Sequence, residues 1–173
     1  KIFVRQTKAL GEKIQFNEIN ENEFSLKKNF LKKFNLIDVE YNQSKAFEKI
    51  SSKSNKYIKN CFDIGLKIMK KKISNKFING PISKKNFLQN KYNGITEFLA
   101  HKTKTKNFAM VIFNKKLSVS PIITHEPLKF VSKNISKSKI VKKIKIIEKF
   151  WKTKFNEKPK IGITGLNPHC ESN

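Results

Sequence analysis

Two of the three histidines in this 173-residue chain directly follow apolar, strand-like segments. His125 comes after "SPIIT" and before Glu126-Pro127, and His169 comes after "KIGITGLNP". Neutral imidazole is the commonest protein ligand for zinc and related divalent ions. The two histidines are therefore candidate metal ligands at the ends of neighbouring strands. The alternative for each is a loop histidine that hydrogen-bonds to the backbone. His101, among lysines on a predicted helix, is expected to face solvent.

A second candidate site is the stretch Gly80-Pro81-Ile82-Ser83-Lys84, in which a glycine turn ends a strand and Ser83 begins a helix. Free backbone N–H groups at a helix start, together with Lys84, can hold a phosphate. A plain strand-to-helix turn with a surface lysine explains these residues equally well. Neither GxGxxG nor GxxxxGK[ST] occurs in the chain, so no Rossmann fingerprint or P-loop is inferred.

Strand-like and helical segments alternate around these residues. Strands are expected at "KIFVRQ", "NLIDVEY", "KFING", "FAMVIF" and "KIGIT", with "FAMVIF" of the kind that is buried on both faces. Helices are expected at residues 54–71 with Ser54 as N-cap, in "ITEFLAHKT" with Thr96 at its start, and at residues 136–155. This order predicts an α/β fold with a largely parallel sheet, whose ligand site lies beyond the carboxyl ends of the strands.

The formal charge of +25 raises nucleic acid as a partner, but the composition disfavours it. Arg5 is the single arginine, and lysines are spread along the whole chain with Asn, Ile and Phe. Arginine is the residue favoured for bidentate contacts to phosphate and guanine, so its near absence favours a solvated lysine surface.

The two cysteines, Cys61 and Cys170, form no CxxC pair and no disulfide framework, which predicts a cytoplasmic protein. No apolar run reaches the length of a membrane span, and no signal peptide is recognised. Because residue 1 is Lys and the last strand-like segment runs into a loop, we expect the chain to be part of a longer protein.

Taken in order, "INGPISKKNF", "GITEFLAHKT", "FAMVIFNKKLSVSPIITHEPLKFV" and "KIGITGLNPHCE" resemble the central part of the 4-hydroxythreonine-4-phosphate dehydrogenase family. The resemblance is strongest from residue 54 onward. It implies a fold like that of isopropylmalate and isocitrate dehydrogenases, with two α/β lobes and an active site in the cleft between them, shared across a homodimer. Residues 1–173 would form a single partial α/β region covering the N-terminal and central part of that fold.

The resemblance also implies a cofactor and a reaction. NAD, or NADP, would oxidise 4-phosphooxy-L-threonine to a 3-keto acid that decarboxylates to 3-amino-2-oxopropyl phosphate, on the route to pyridoxal 5'-phosphate. A divalent metal (zinc, magnesium or cobalt) would be held by three histidines. His125, in a Thr-His-x-Pro-Leu motif, and His169, in Gly-Leu-Asn-Pro-His, match two of them. The third ligand is expected in a later motif.

The substrate-binding motif of the family, Gly-His-Thr-Glu, reads Gly94-Ile95-Thr96-Glu97 here. Thr96 carries over, whereas Ile95 replaces an imidazole donor with a hydrocarbon. Lys84 is expected to contact the phosphate or the carboxylate of the substrate. Two alternatives stay open: a related dehydrogenase of 4-phospho-threonate or 4-phospho-erythronate, which Ile95 favours, and a basic nucleic-acid-binding protein.

Overall fold

A computed structural model describes residues 2–20 and 34–165 of the chain. It has helices and a small parallel sheet, which confirms the α/β class. The chain divides into two compact units, Lys1–Gln89 (unit 1) and Asn90–Asn173 (unit 2).

Unit 1 begins with a helix, so the strand predicted at "KIFVRQ" is wrong. Helix α1 covers Ile2–Ala9. Its partly buried positions, 2, 3, 6 and 7, recur at helical rather than alternating spacing. The ring of Phe3 lies 5.6 Å, centroid to centroid, from both Phe16 and Phe34. Packing against these two rings explains why an apolar, strand-like sequence forms a helix.

The sheet of unit 1 has two short strands, β1 at Phe16–Glu18 and β2 at Phe34–Leu36. They pair in parallel, with Phe16 opposite Phe34. The strand predicted at "NLIDVEY" is therefore confirmed only at its start, because β2 ends at Leu36.

The core of unit 1 forms around helix α2, Asn55–Lys70, which confirms the helix predicted at 54–71. Phe62 is only 3% exposed, and its ring centroid lies 5.7 Å from those of Phe77 and Phe87. A Cβ placed on Gly65 would come within 2.2 Å of the Phe77 ring. The apolar face of α2 is therefore a packing surface, completed by the short helix α3, Lys84–Leu88.

Ser54 stands at the N-cap position of α2, but its side chain makes no capping hydrogen bond. Its hydroxyl donates to the carbonyl of Ser51 at 3.2 Å instead. The reason is local: residues Ser52–Ser54 form a 3-10 turn, so Ser54 already has helical backbone angles.

Cys61 lies on α2 beside Tyr57, whose ring stacks on Tyr41 at 4.8 Å. Burial raises the pKa of the Cys61 thiol, and burial also raises the pKa of Tyr57 to about 12. A thiol that stays protonated is a poor nucleophile.

Unit 2 contains helices α4 at Ile95–Lys102, α5 at Leu128–Asn134 and α6 at Lys137–Phe155. The helices predicted in "ITEFLAHKT" and at 136–155 are confirmed. Ser136 caps α6 by accepting a hydrogen bond from the backbone N–H of Lys139 at 3.3 Å. Within the described part of unit 2, Phe98 is the one buried large apolar residue, at 7% exposure.

Three predicted strands do not form in the described residues. "KFING" and "KIGIT" have no strand structure, and Ile78 and Ile163 on them are 93% and 63% exposed. "FAMVIF" makes only a single antiparallel bridge, between Ile112 and Val119, and Ile112 is 59% exposed. The prediction that it is buried on both faces is wrong, because within the described residues it belongs to no sheet whose two faces helices could cover.

Among the described segments, no helix has both the length and the apolar character that crossing a membrane requires.

Candidate functional site

His125 lies in unit 2, on the loop that leads into α5. Its backbone φ is +57°, in the left-handed region that non-glycine residues seldom occupy. Pro127, at the N-cap of α5, fixes the chain two residues later. The imidazole is 36% exposed, so the ring is held by the loop yet remains accessible.

The imidazole of His125 lies directly against the buried Gly94. A Cβ on this glycine would come within 2.6 Å of His125 Cε1 and 2.7 Å of Nδ1. Gly94 is the N-cap residue of α4 and has an extended backbone, so glycine is required here by space rather than by φ. The missing side chain makes room for the ring.

The carboxylate of Glu97, in the first turn of α4, lies beside His125. Its Oε1 accepts a hydrogen bond from the Thr124 hydroxyl at 2.8 Å. Its Oε2 is buried, has no hydrogen-bond partner within the described segments, and lies 3.6 Å from His125 Nδ1. One oxygen of the carboxylate is therefore anchored and the other lies close to the imidazole.

Lys143 on α6 fixes the loop that precedes His125. Its ammonium donates to the backbone carbonyl of Pro121 at 3.1 Å. Burial lowers the pKa of Lys143, while the charge of Glu97 opposes that shift. A half-buried cation therefore lies within the electrostatic field of the Glu97 carboxylate.

The structure places the other sequence-predicted residues as follows. Ile95 and Thr96 are partly buried in the first turn of α4, the turn that also carries Glu97. Lys84 is exposed and begins α3 in unit 1. His169 lies outside the described residues. His101 is exposed, as predicted, with its Nδ1 3.0 Å from the Tyr92 hydroxyl.

The donor set around His125 suits a metal ligand. Within residues 2–20 and 34–165, no hydrogen bond uses His125 Nε2, whereas Nδ1 faces a carboxylate. An imidazole whose one nitrogen faces a carboxylate and whose other is open is the usual arrangement of a histidine that binds a metal. No group of three His, Cys, Asp or Glu side chains able to hold a metal occurs in these two described ranges. The described segments by themselves therefore show no complete metal site at His125.

The structure adds three residues to this site for which the sequence had predicted no role there: Gly94, Glu97 and Thr124. Glu97 had a signal, since an acidic residue in the first turn of a predicted helix stood one position after Thr96. Gly94 begins the motif Gly94-Ile95-Thr96-Glu97, but the reason it must be glycine is a ring that approaches from a distant loop.

Comparison with known proteins gives a family match along the whole chain. The family model described as pyridoxal phosphate biosynthetic protein PdxA matches residues 1–173.

Several curated relatives carry the name 4-hydroxythreonine-4-phosphate dehydrogenase. The chain is 37% identical to that of Sulfurihydrogenibium sp. over 142 residues, which is 80% of this chain and 43% of the relative. It is 44% identical to that of Aquifex aeolicus over 79 residues, 46% of this chain and 25% of the relative. The chain therefore matches less than half the length of either protein.

A relative with a different name is the D-threonate 4-phosphate dehydrogenase of Salmonella typhimurium. The chain is 35% identical to it over 82 residues, 47% of this chain and 25% of the relative.

Proposed function

This chain belongs to the family of pyridoxal phosphate biosynthetic protein PdxA, and we propose that the whole protein oxidises 4-phosphooxy-L-threonine with NAD, or NADP, and a divalent metal ion. The resulting 3-keto acid loses carbon dioxide to give 3-amino-2-oxopropyl phosphate, on the route to pyridoxal 5'-phosphate. The proposal extends to a two-lobed fold like that of isopropylmalate dehydrogenase and to a cytoplasmic homodimer with a shared active site. Residues 1–173 would be a single partial α/β region of that fold.

The observation that carries the proposal is the family match over residues 1–173. The names of two relatives, both 4-hydroxythreonine-4-phosphate dehydrogenases, support the substrate. The geometry adds independent support for a metal site, because the imidazole of His125 is oriented by Gly94 and Glu97 while its Nε2 stays open.

In this proposal, His125 and His169 contribute imidazole ligands to a zinc, magnesium or cobalt ion. A bound divalent cation supplies polarisation of a substrate oxygen. The protein's own groups position the substrate. The Thr96 hydroxyl hydrogen-bonds to it at the start of α4, and the Lys84 ammonium binds its phosphate or carboxylate.

A specific residue favours a second candidate, the oxidation of 4-phospho-threonate or 4-phospho-erythronate. Ile95 cannot donate a hydrogen bond, so a substrate group that a histidine would bind at this position loses its partner. The match to a D-threonate 4-phosphate dehydrogenase supports this alternative.

The two candidates are separated by turnover in the full-length protein that contains this chain. NADH formation is measured with 4-phosphooxy-L-threonine, 4-phospho-D-threonate and 4-phospho-D-erythronate, each with added Zn²⁺, Mg²⁺ or Co²⁺. Highest kcat/KM on the amino acid supports the leading proposal. Preference for either hydroxy acid supports the second, and no NADH from any of them contradicts both.

The metal site is tested separately by His125→Ala, since truncating the imidazole removes a ligand. We expect this variant to lose Co²⁺ binding, measured by calorimetry and by the visible absorption of the bound ion. The matched control is His101→Ala, which removes an exposed histidine of the same unit. Equal Co²⁺ affinity in both variants would contradict the assignment of His125.

A further inference from the structure

A polar cluster, here called the Glu97 cluster, lies against Gly94 and consists of Glu97, Thr124 and His125. Its carboxylate is anchored at one oxygen only, by the Thr124 hydroxyl at 2.8 Å. The second oxygen is buried, has no hydrogen-bond partner in the described ranges, and lies 3.6 Å from His125 Nδ1. A buried carboxylate oxygen without a partner costs free energy, so a nearby N–H donor is strongly favoured.

Gly94 restricts the ring from another side. Its Cα lies against the imidazole edge so closely that a Cβ would come within 2.7 Å of His125 Nδ1 and within 2.8 Å of Glu97 Oε2. The ring and the carboxylate therefore share one confined space beside the N-terminus of α4. The 3.6 Å between Nδ1 and Oε2 is longer than a hydrogen bond, so a bond between them requires the ring or the carboxylate to shift by about 0.5 Å.

We propose that Glu97 is a positioning residue, which accepts a hydrogen bond from His125 Nδ1–H and so keeps Nε2 unprotonated and directed at a divalent cation. This inference rests on the proposed function. A neutral imidazole has one N–H and one lone pair, and the partner of the first nitrogen decides which nitrogen carries the lone pair. Thr124 acts on Glu97 and only through it on His125, because its hydroxyl donates a hydrogen bond to the carboxylate.

The substitution Glu97→Gln tests this role with almost no change in size. Glutamine keeps the size of the side chain but loses the negative charge and one of the two acceptor oxygens that face the Thr124 hydroxyl and Nδ1. We expect Co²⁺ affinity in the full-length protein to fall about 10–100-fold, the effect typical of losing such an outer partner. Thr124→Val is expected to give a smaller loss in the same direction.

The matched control is Glu148→Gln. Glu148 is in the same unit, on α6, and pairs with Lys152 at 3.3 Å. This variant should leave Co²⁺ affinity unchanged. If Glu97→Gln also leaves it unchanged, while His125→Ala abolishes it, the positioning role is overturned and the proposed function stands.

A second readout does not involve the metal. In the metal-free protein, ¹⁵N NMR of the His125 ring should show the Nδ1–H tautomer, and Glu97→Gln should shift the ring toward the Nε2–H form. A merely structural role would change stability without this shift. If the unmutated protein binds no Co²⁺, the proposed function fails, and the tautomer alone then decides the role of Glu97: identical ring shifts in both proteins overturn it.

Discussion

Unit 1 and unit 2 differ in how deeply their aromatic rings are buried. In unit 1, Phe62 and Leu88 are each 3% exposed, and stacked aromatic rings surround α2. In unit 2, Phe98 is the one buried large apolar side chain among the described residues, at 7% exposure, and Phe113 beside Trp151 is 54% exposed. The polar contacts of Glu97 and Lys143 are in unit 2.

A buried aromatic ring and the imidazole of His125 are held in place by different interactions. A ring buried by its neighbours contributes stability through the apolar area removed from water. The imidazole of His125 buries little apolar area. Its position depends on its close contact with Gly94 and on the nearby carboxylate of Glu97. The most deeply buried of the described rings, that of Phe62, is therefore in unit 1, and the imidazole beside a glycine and a carboxylate is in unit 2.

The largest effect is expected in the core of unit 1. Phe62→Ala should lower the free energy of unfolding by about 3–5 kcal/mol, because it leaves a cavity among buried rings. The matched variant Phe113→Ala removes a ring that is 54% exposed and should cost about 1 kcal/mol. Urea denaturation measures both, and equal losses would break the contrast between the units.

An intermediate effect is expected at the glycine beneath the imidazole. Gly94→Ala should lower the free energy of unfolding by about 1–3 kcal/mol, since the added Cβ pushes the side chains of His125 and Glu97 away from the backbone. Gly162→Ala is the control, because a Cβ there meets nothing within 4 Å. Unfolding free energies are compared by urea titration. A Gly94→Ala protein as stable as the control would show that the ring is not held against the glycine.

The smallest effect concerns the starts of the two long helices. Ser136→Ala in unit 2 should cost about 1 kcal/mol, because it removes the hydrogen bond accepted from Lys139 N–H. Ser54→Ala in unit 1 should cost about half of that or less, since Ser54 makes no capping bond. Thermal unfolding of both variants tests this difference. A larger loss for Ser54→Ala would contradict the assignment of the caps.

The helices were predictable because their signals are local. The apolar spacing of α2 and α6 is readable within one segment, so both were found nearly to their ends. Strands were predicted less well, since "FAMVIF" and "KIGIT" have suitable residues but no sheet neighbours in the described ranges. A strand needs partners that its own sequence does not specify.

The same physical difference divides the candidate site. His125 could be located from its place after an apolar segment, and Thr96 from its motif. Gly94 and the second oxygen of Glu97 take their meaning from the loop that folds over them. A close approach between distant segments leaves no mark in the spacing of either one.

The left-handed backbone of His125 has a consequence for how variants of this chain would be selected. At φ +57° glycine is free of the steric cost, on the order of 1 kcal/mol, that an L side chain bears. Selection for thermal stability alone would therefore tend to replace this histidine, whereas selection for ligand binding would retain it. If His125 binds a metal ion as proposed, the two kinds of selection diverge at position 125.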